Sequence, residues 1–248
     1  MQTWLFITLV SLACIIELIF VPKFLVAQRP GVSIKSFCFK MICATMFAAI
    51  GFLCYRYSGN TSEFAKHMLI GLCLGWVGDV FLHLKKGNKI LFGIGFCFFF
   101  SSHILYLIAF SKATEQYFPD SKTATVATIA LIVVVIFCSY LYIKLKKKLK
   151  LNPFIGALCL VYGLVLVPMM VSAFMFSVQY IAAGYPNAIF GGICLTLGGI
   201  SFYLSDFSIA FLMFNKADKD RIGLKNFNIG TYFFAQTMLA LSILFIGG

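Results

Sequence analysis

From Leu151 to Ser205 the chain runs without one Asp, Glu, Lys or Arg. Residues 90–111, 123–143 and 226–248 are equally free of formal charge. No water-facing surface can be assembled from stretches like these. A helix that crosses a bilayer needs about 20 predominantly apolar residues, and only a helix or a closed barrel satisfies its backbone groups in hydrocarbon. Charged residues make up 11% of the 248, against roughly 25% in soluble domains. The chain therefore reads as an all-α integral membrane protein, one polytopic domain over residues 1–248.

Eight spans are predicted, near 3–22, 37–55, 65–84, 90–111, 123–143, 153–176, 188–214 and 227–246. The long uncharged run is too long for one crossing, and the segment around Gln179, Gly184, Tyr185, Pro186 and Asn187 supplies its turn. The first apolar run, Trp4 to Val21, has no basic segment ahead of it and no small-residue cleavage site, so it reads as a first helix rather than a leader.

The net charge of +12 raises the question of nucleic acid. The distribution of the basic residues answers it, because they sit in short loops between apolar runs. The odd-numbered loops hold Lys23, Arg29, Lys35 and Lys40; Lys85, Lys86 and Lys89; Lys144, Lys146, Lys147, Lys148 and Lys150; and Lys216, Lys219, Arg221 and Lys225. The even-numbered loops hold only Arg56, Lys66, Lys112 and Lys122. By the positive-inside rule the odd loops are cytoplasmic and both termini face outward. A wrong helix count would scramble this alternation. The expected location is the bacterial inner (cytoplasmic) membrane, with no nucleic-acid partner. The sequence leaves the oligomeric state open. Nine cysteines form no C-x-x-C pair and read as small buried residues.

Two segments resemble each other. Gly75-Trp-Val-Gly-Asp79 ends the third span, and Ser201-Phe-Tyr-Leu-Ser-Asp206 lies in the seventh; a basic loop and an aromatic helix follow each. Phe99-Phe100-Ser-Ser-His103 in the fourth span parallels Phe233-Phe234-Ala-Gln236 in the eighth. The pattern suggests a four-plus-four internal duplication.

Glu17, Asp79 and Asp206 are the acidic residues inside predicted spans. A carboxylate at the centre of a bilayer costs at least about 2.5–3.5 kcal/mol, so such residues face the bundle interior and mark a pathway or a reactive site. Asp79 lies six residues before Lys85 and Asp206 ten before Lys216. At 1.5 Å per residue these are depths of about 9 Å and 15 Å, both in the cytoplasmic half. The two aspartates are therefore candidates for one cavity. Glu17, two turns from Lys23, is expected to pair with it or snorkel. His83 shares a helix face with Asp79. His103, mid-span among phenylalanines, needs a hydrogen-bond partner. A zinc site from His83, His103 and an aspartate stays open, although no ligand motif such as H-E-x-x-H occurs. Neither a G-x-S-x-G elbow nor a P-loop nor a Rossmann fingerprint is present.

Gly78-Asp79, Leu91-Phe-Gly-Ile-Gly-Phe and Ser102-His103-Ile-Leu-Tyr106 together resemble the YhhN-like family of eight-span membrane proteins. So do Ser205-Asp206 with Ile209, Ala210 and Phe214, and the final Tyr232-x-x-Ala235-Gln236. The likeness runs from about Phe39 to the C-terminus. Lys40 is followed here by Met41, a departure from the Lys-Pro pair frequent at this point in the family. The resemblance implies lysoplasmalogenase activity: hydrolysis of the vinyl ether of a lysoplasmalogen to a fatty aldehyde and glycerophosphoethanolamine or glycerophosphocholine. Vinyl ethers open by protonation at the β-carbon, and water captures the resulting oxocarbenium ion. That chemistry suits a pair of carboxyl groups, as in glycosidases, and needs no cofactor or metal. Asp79 and Asp206 are the expected pair. His103, Ser205, Tyr232 and Gln236 are candidate hydrogen bonders around them, with His83 and Tyr106 nearby. Lys40, Lys85 and Lys86 are candidates to meet the phosphate of a lysophospholipid entering from the membrane. The alternatives are a proton-coupled transporter of a small or lipid-like solute, and a zinc-dependent hydrolase.

Overall fold

A computed structural model describes residues 2–29, 31–59, 62–84, 88–149, 153–214 and 221–246; the side chains at 138, 141–142, 145–149, 153–160, 210–211 and 213–214 lie outside that description. Lys85 and Lys86, two of the expected phosphate contacts, fall outside it as well. Among the described residues the chain is wholly helical. The elements are α1 (Thr3–Ala27), α2 (Ile34–Ser58), α3 (Glu63–Leu84), α4 (Lys89–Tyr117), α5 (Thr123–Leu149), α6 (Pro153–Ala182), α7 (Ala188–Phe214) and α8 (Ile222–Phe245). Each coincides with one of the eight predicted spans.

Seven of the eight are long and apolar enough to cross a membrane, and the apolar stretch described in α5, Thr123–Phe137, is shorter. Most boundaries extend past the hydrophobic runs because polar residues form the end turns. Ser33 accepts from the Ser36 amide while Ser36 Oγ accepts from the Ser33 amide, a reciprocal cap that starts α2 a turn early. Lys112 and Glu115 pair at 2.8 Å in the added last turns of α4. α1 continues through Pro22 to Ala27. The α6–α7 connection turns where the sequence indicated, on Gly184 (φ +67°) and Asn187 (φ +57°).

The helices pack in two matching sets. α1 lies on α2, α2 on α3 and α3 along α4, as α5 lies on α6, α6 on α7 and α7 along α8. The sets close on each other through α2 against α8 and α6 against α4, contacts that interchange under the same four-helix shift. The likeness reaches single residues. A Cβ at Gly78 would lie 3.3 Å from the Gly95 carbonyl oxygen of α4, and the Ser205 hydroxyl donates to the Asn228 carbonyl of α8 at 3.0 Å. Gly78 and Ser205 each immediately precede an aspartate. Where α3 meets α4 the small residue admits close helix approach, and where α7 meets α8 it is a hydrogen-bonded staple.

The interior holds Phe47, Phe64, Phe110, Phe202, Phe233 and Tyr106, while isoleucines and phenylalanines cover the outer faces of α1, α5 and α7. The inside-out distribution suits a protein whose solvent is lipid. At one end of the bundle Tyr117, Phe118, Phe176, Tyr180 and Tyr185 pack as one aromatic cluster. At the other, Lys23 and Lys35 lie over the rings of Phe20 and Phe39.

Candidate functional site

Asp79 and Asp206 come from corresponding helices, α3 and α7, and each takes one partner from either side. Lys40 of α2 places Nζ 2.7 Å from Asp79 Oδ1, and the Tyr232 hydroxyl of α8 donates to Asp79 Oδ2 at 2.7 Å. Tyr162 of α6 donates to Asp206 Oδ2 at 2.6 Å, and His103 Nε2 of α4 lies 3.2 Å from the same oxygen. The helix ends nearest these groups are those joined by the basic loops, so both carboxylates belong to one half of the bundle. The Asp79 side chain is 2% exposed and that of Asp206 9%, which makes Asp206 the more accessible of the two.

Around Asp79 the hydrogen bonds have one direction. Tyr106 donates to Gln236 Oε1 at 2.7 Å, Gln236 Nε2 donates to the Tyr232 oxygen at 3.2 Å, and Tyr232 donates to the carboxylate. Ser102 anchors the neighbouring turn of α4 by donating to the Gly71 carbonyl at 2.8 Å. Around Asp206 both contacts converge on one oxygen. His103 Nδ1 lies 2.6 Å from the Phe99 carbonyl oxygen, which can only accept, so Nδ1 carries a hydrogen. Its Nε2 faces both Asp206 Oδ2 and, at 3.3 Å, the Tyr162 oxygen.

Aromatic rings join the two halves. Phe202 packs edge-on against His103, with centroids 4.5 Å apart, and against Tyr232 at 5.6 Å. Phe99 reaches Tyr232 from the other side at 5.7 Å. His103 and Tyr106, one turn apart on α4, belong to different carboxylates. The site is thus one cluster with two acidic centres and a ring-lined divide.

Three expected residues lie elsewhere. His83 is buried one turn from Asp79, but its Nε2 meets Ser36 Oγ at 3.1 Å and its ring sits near Phe24 and Phe37. Ser205 does not reach either carboxylate by a hydrogen bond; it is held with Asn228, whose Nδ2 donates to the Ser205 carbonyl at 2.7 Å. Glu17 neither pairs with Lys23 nor snorkels. It is buried between α1 and α8, where Thr237 donates to Oε2 at 2.6 Å and Oε1 has no partner. The face of α1 that carries Glu17 turns inward, and Lys23 lies over Phe20 instead. Among the described residues no three His, Cys, Asp or Glu side chains converge as a metal-ligand set, and His83 and His103 serve separate partners.

Tyr162 is the residue that the sequence reading missed. It lies in the long uncharged run, where one hydroxyl among apolar neighbours gives little signal. The available clue was that a buried tyrosine hydroxyl requires a partner. A shallow apolar groove of about 430 Å³ lines the outer face of α4 along Ile90, Gly93, Ile94, Cys97, Phe98 and Ser101, opposite the face that bears His103 and Tyr106.

A multi-pass helical membrane protein with two separately partnered aspartates, one buried and one partly buried, is the class that fold and site define. Within that class the chain belongs to the YhhN family, whose sequence profile matches residues 35–243. The match omits α1 and therefore Glu17. No curated protein and no solved structure matches the chain.

Proposed function

We propose that this protein is a lysoplasmalogenase-like hydrolase, which cleaves the vinyl ether of a lysoplasmalogen to a fatty aldehyde and a glycerophospho-base. The observation that carries the reading is the pair of carboxyl groups, buried Asp79 and partly buried Asp206, in one aromatic-walled cluster. Opening a vinyl ether requires a proton for the β-carbon and negative charge beside the oxocarbenium ion that forms. Two carboxyl groups in different surroundings supply those two things. Phe99, Phe202 and Tyr232 give the cation electron-rich ring faces and keep bulk water from the reacting carbons.

In this reading the lysophospholipid enters sideways from the bilayer, its chain among the phenylalanine-rich helices and its head toward the basic loops. Lys40 is already engaged by Asp79, so its task is to hold that carboxylate charged rather than to bind phosphate. No cofactor takes part. The termini face outward and the basic loops face the cytoplasm of a bacterial cell.

Aldehyde release from lysoplasmenylethanolamine by the purified protein in detergent tests the reading. Wild type releases aldehyde, while Asp79→Asn and Asp206→Asn each lose turnover yet elute as folded protein. Retained turnover in either variant would remove that aspartate from the chemistry.

One observation favours a second reading. Two matching four-helix sets, each with an aspartate inside a span, are also the plan of a proton-coupled transporter. A transporter returns the substrate intact, so product analysis separates the two.

A further inference from the structure

We propose that the transferable proton of this site resides on the contact between His103 Nε2 and Asp206 Oδ2, with Tyr162 as the positioning residue that holds Asp206 there and Asp79 as a fixed negative charge. This assignment of roles rests on the hydrolase reading above. It follows from counting hydrogens.

On the Asp79 side both carboxylate oxygens already have a donor. Oδ1 takes the Lys40 ammonium, and Oδ2 takes the Tyr232 hydroxyl. Tyr232 cannot turn its hydrogen away from Asp79 without facing the Gln236 amide that donates to it. Gln236 in turn is fixed by Tyr106, which donates to its Oε1. Each bond in this chain points toward the carboxylate, which is the pattern of an ionised group.

The Asp206 side is one hydrogen short. The Nδ1 hydrogen of His103 is committed to the Phe99 carbonyl at 2.6 Å. A neutral ring so arranged presents the bare lone pair of Nε2 to Asp206 Oδ2 at 3.2 Å. Two bare acceptors do not lie that close without a hydrogen between them. The Tyr162 hydroxyl does not supply it, because its hydrogen points to Oδ2 at 2.6 Å rather than to Nε2 at 3.3 Å. One further proton therefore sits on the His103–Asp206 contact. Among the described residues the polar groups facing it are Tyr162 from α6, His103 from α4 and Asp206 from α7. Phe96 and Phe100 flank Tyr162, and Phe202 lies against the imidazole. Asp79 and Lys40 lie beyond Phe202 and Tyr232.

The proton tasks then fall to one pair. The contact gives its proton to the β-carbon; the C=C electron pair becomes the new C–H bond and leaves an oxocarbenium ion at the α-carbon. Water bonds through oxygen to the α-carbon and returns its proton to the His103–Asp206 contact. In the resulting hemiacetal the C–O bond to the glyceryl oxygen breaks, and the hydroxyl proton passes to that departing oxygen as the aldehyde C=O forms. The sum is one vinyl ether and one water converted to one aldehyde and one alcohol. Asp79 stays ionised throughout, opposite the cation.

The experiment combines ¹⁵N NMR of the His103 ring in wild-type protein with pH–rate profiles of aldehyde release for wild type, Tyr162→Phe and Tyr180→Phe. The His103 resonances are identified by their loss in His103→Gln. The expected spectrum has hydrogen on Nδ1 and a second proton shared between Nε2 and the carboxylate. Tyr162→Phe lowers kcat roughly 10- to 100-fold with little change in KM and displaces the pH profile. Tyr180 donates a comparable buried hydroxyl to the Phe245 carbonyl, far from the carboxylates, so Tyr180→Phe leaves the profile in place. A bare Nδ1, or a Tyr162→Phe profile superimposable on wild type, overturns the assignment while aldehyde release still stands. The expected spectrum in a protein that releases no aldehyde keeps the proton site and removes the hydrolase reading.

Discussion

Lys40 and Asp79 meet at 2.7 Å between α2 and α3, and one turn nearer the helix ends Ser36 meets His83 at 3.1 Å. The two contacts are successive rungs between the same pair of helices, at the side of the basic loops. The inner rung joins an ammonium to a carboxylate beside Tyr232, and the outer one joins a hydroxyl to an imidazole. This placement explains why His83 shares a face with Asp79 without sharing its partners.

Removing one member of the inner rung strands the other. Lys40→Met leaves Asp79 buried with only Tyr232 beside it, and should lower stability by about 3–5 kcal/mol, as breaking buried ion pairs does. Lys40→Met combined with Asp79→Asn should recover most of that loss, because neither side then carries an unpaired charge. Thermal unfolding in detergent of the two single variants and the double variant measures the coupling.

Close packing against Tyr106 makes Gly71 intolerant. A Cβ at Gly71 would fall 2.5 Å from Tyr106 Cε1 and 3.3 Å from the Ser102 carbonyl oxygen. Tyr106 is fully buried and tied to Gln236, so it cannot swing aside without losing that bond. Gly71→Ala should cost about 1–3 kcal/mol and lower turnover. Gly93→Ala, on the outer face of α4 with nothing within 4 Å, should change stability by less than about 0.5 kcal/mol.

Glu17 depends on one hydroxyl. Thr237→Val leaves both carboxyl oxygens without a hydrogen bond, at a cost of about 1–3 kcal/mol. Replacing both residues with apolar ones, Glu17→Met with Thr237→Val, should restore stability toward wild type. An additive loss in the double variant would show that Thr237 is not what Glu17 relies on.

Topology is open to a direct check. A C-terminal alkaline phosphatase fusion should be active and a C-terminal green fluorescent protein fusion dark, because eight crossings with cytoplasmic odd loops leave both ends outside. The reverse pattern would invert the bundle and put the carboxylates in the outer half.

Much of the fold was legible because hydropathy and charge are read locally. The uncharged runs located the spans, and Gly184 with Asn187 located the break within the longest one. The duplication was visible in Asp79 and Asp206 as residues, and the helix pairing extends it to whole helices. Of the site, the sequence indicated the two aspartates together with His103, Tyr106, Tyr232 and Gln236. Tyr162 was invisible because nothing in its flanking residues sets it apart from other tyrosines in apolar helices. Ser205 was read for its neighbour Asp206, but its side chain leaves along a different face of α7.

The sequence by itself determined which segments leave water and roughly how deep each charged residue sits, because the cost of placing a residue in hydrocarbon depends on that residue and its neighbours in the chain. Only the tertiary structure decided which polar atom meets which. Lys40 took Asp79, Tyr162 took Asp206, Ser36 took His83 and Thr237 took Glu17. A polar atom buried among apolar helices must find a partner, and how each helix is rotated about its own axis against its neighbours selects that partner. That rotation is fixed by packing between helices far apart in the chain, a relation that no local stretch of sequence contains.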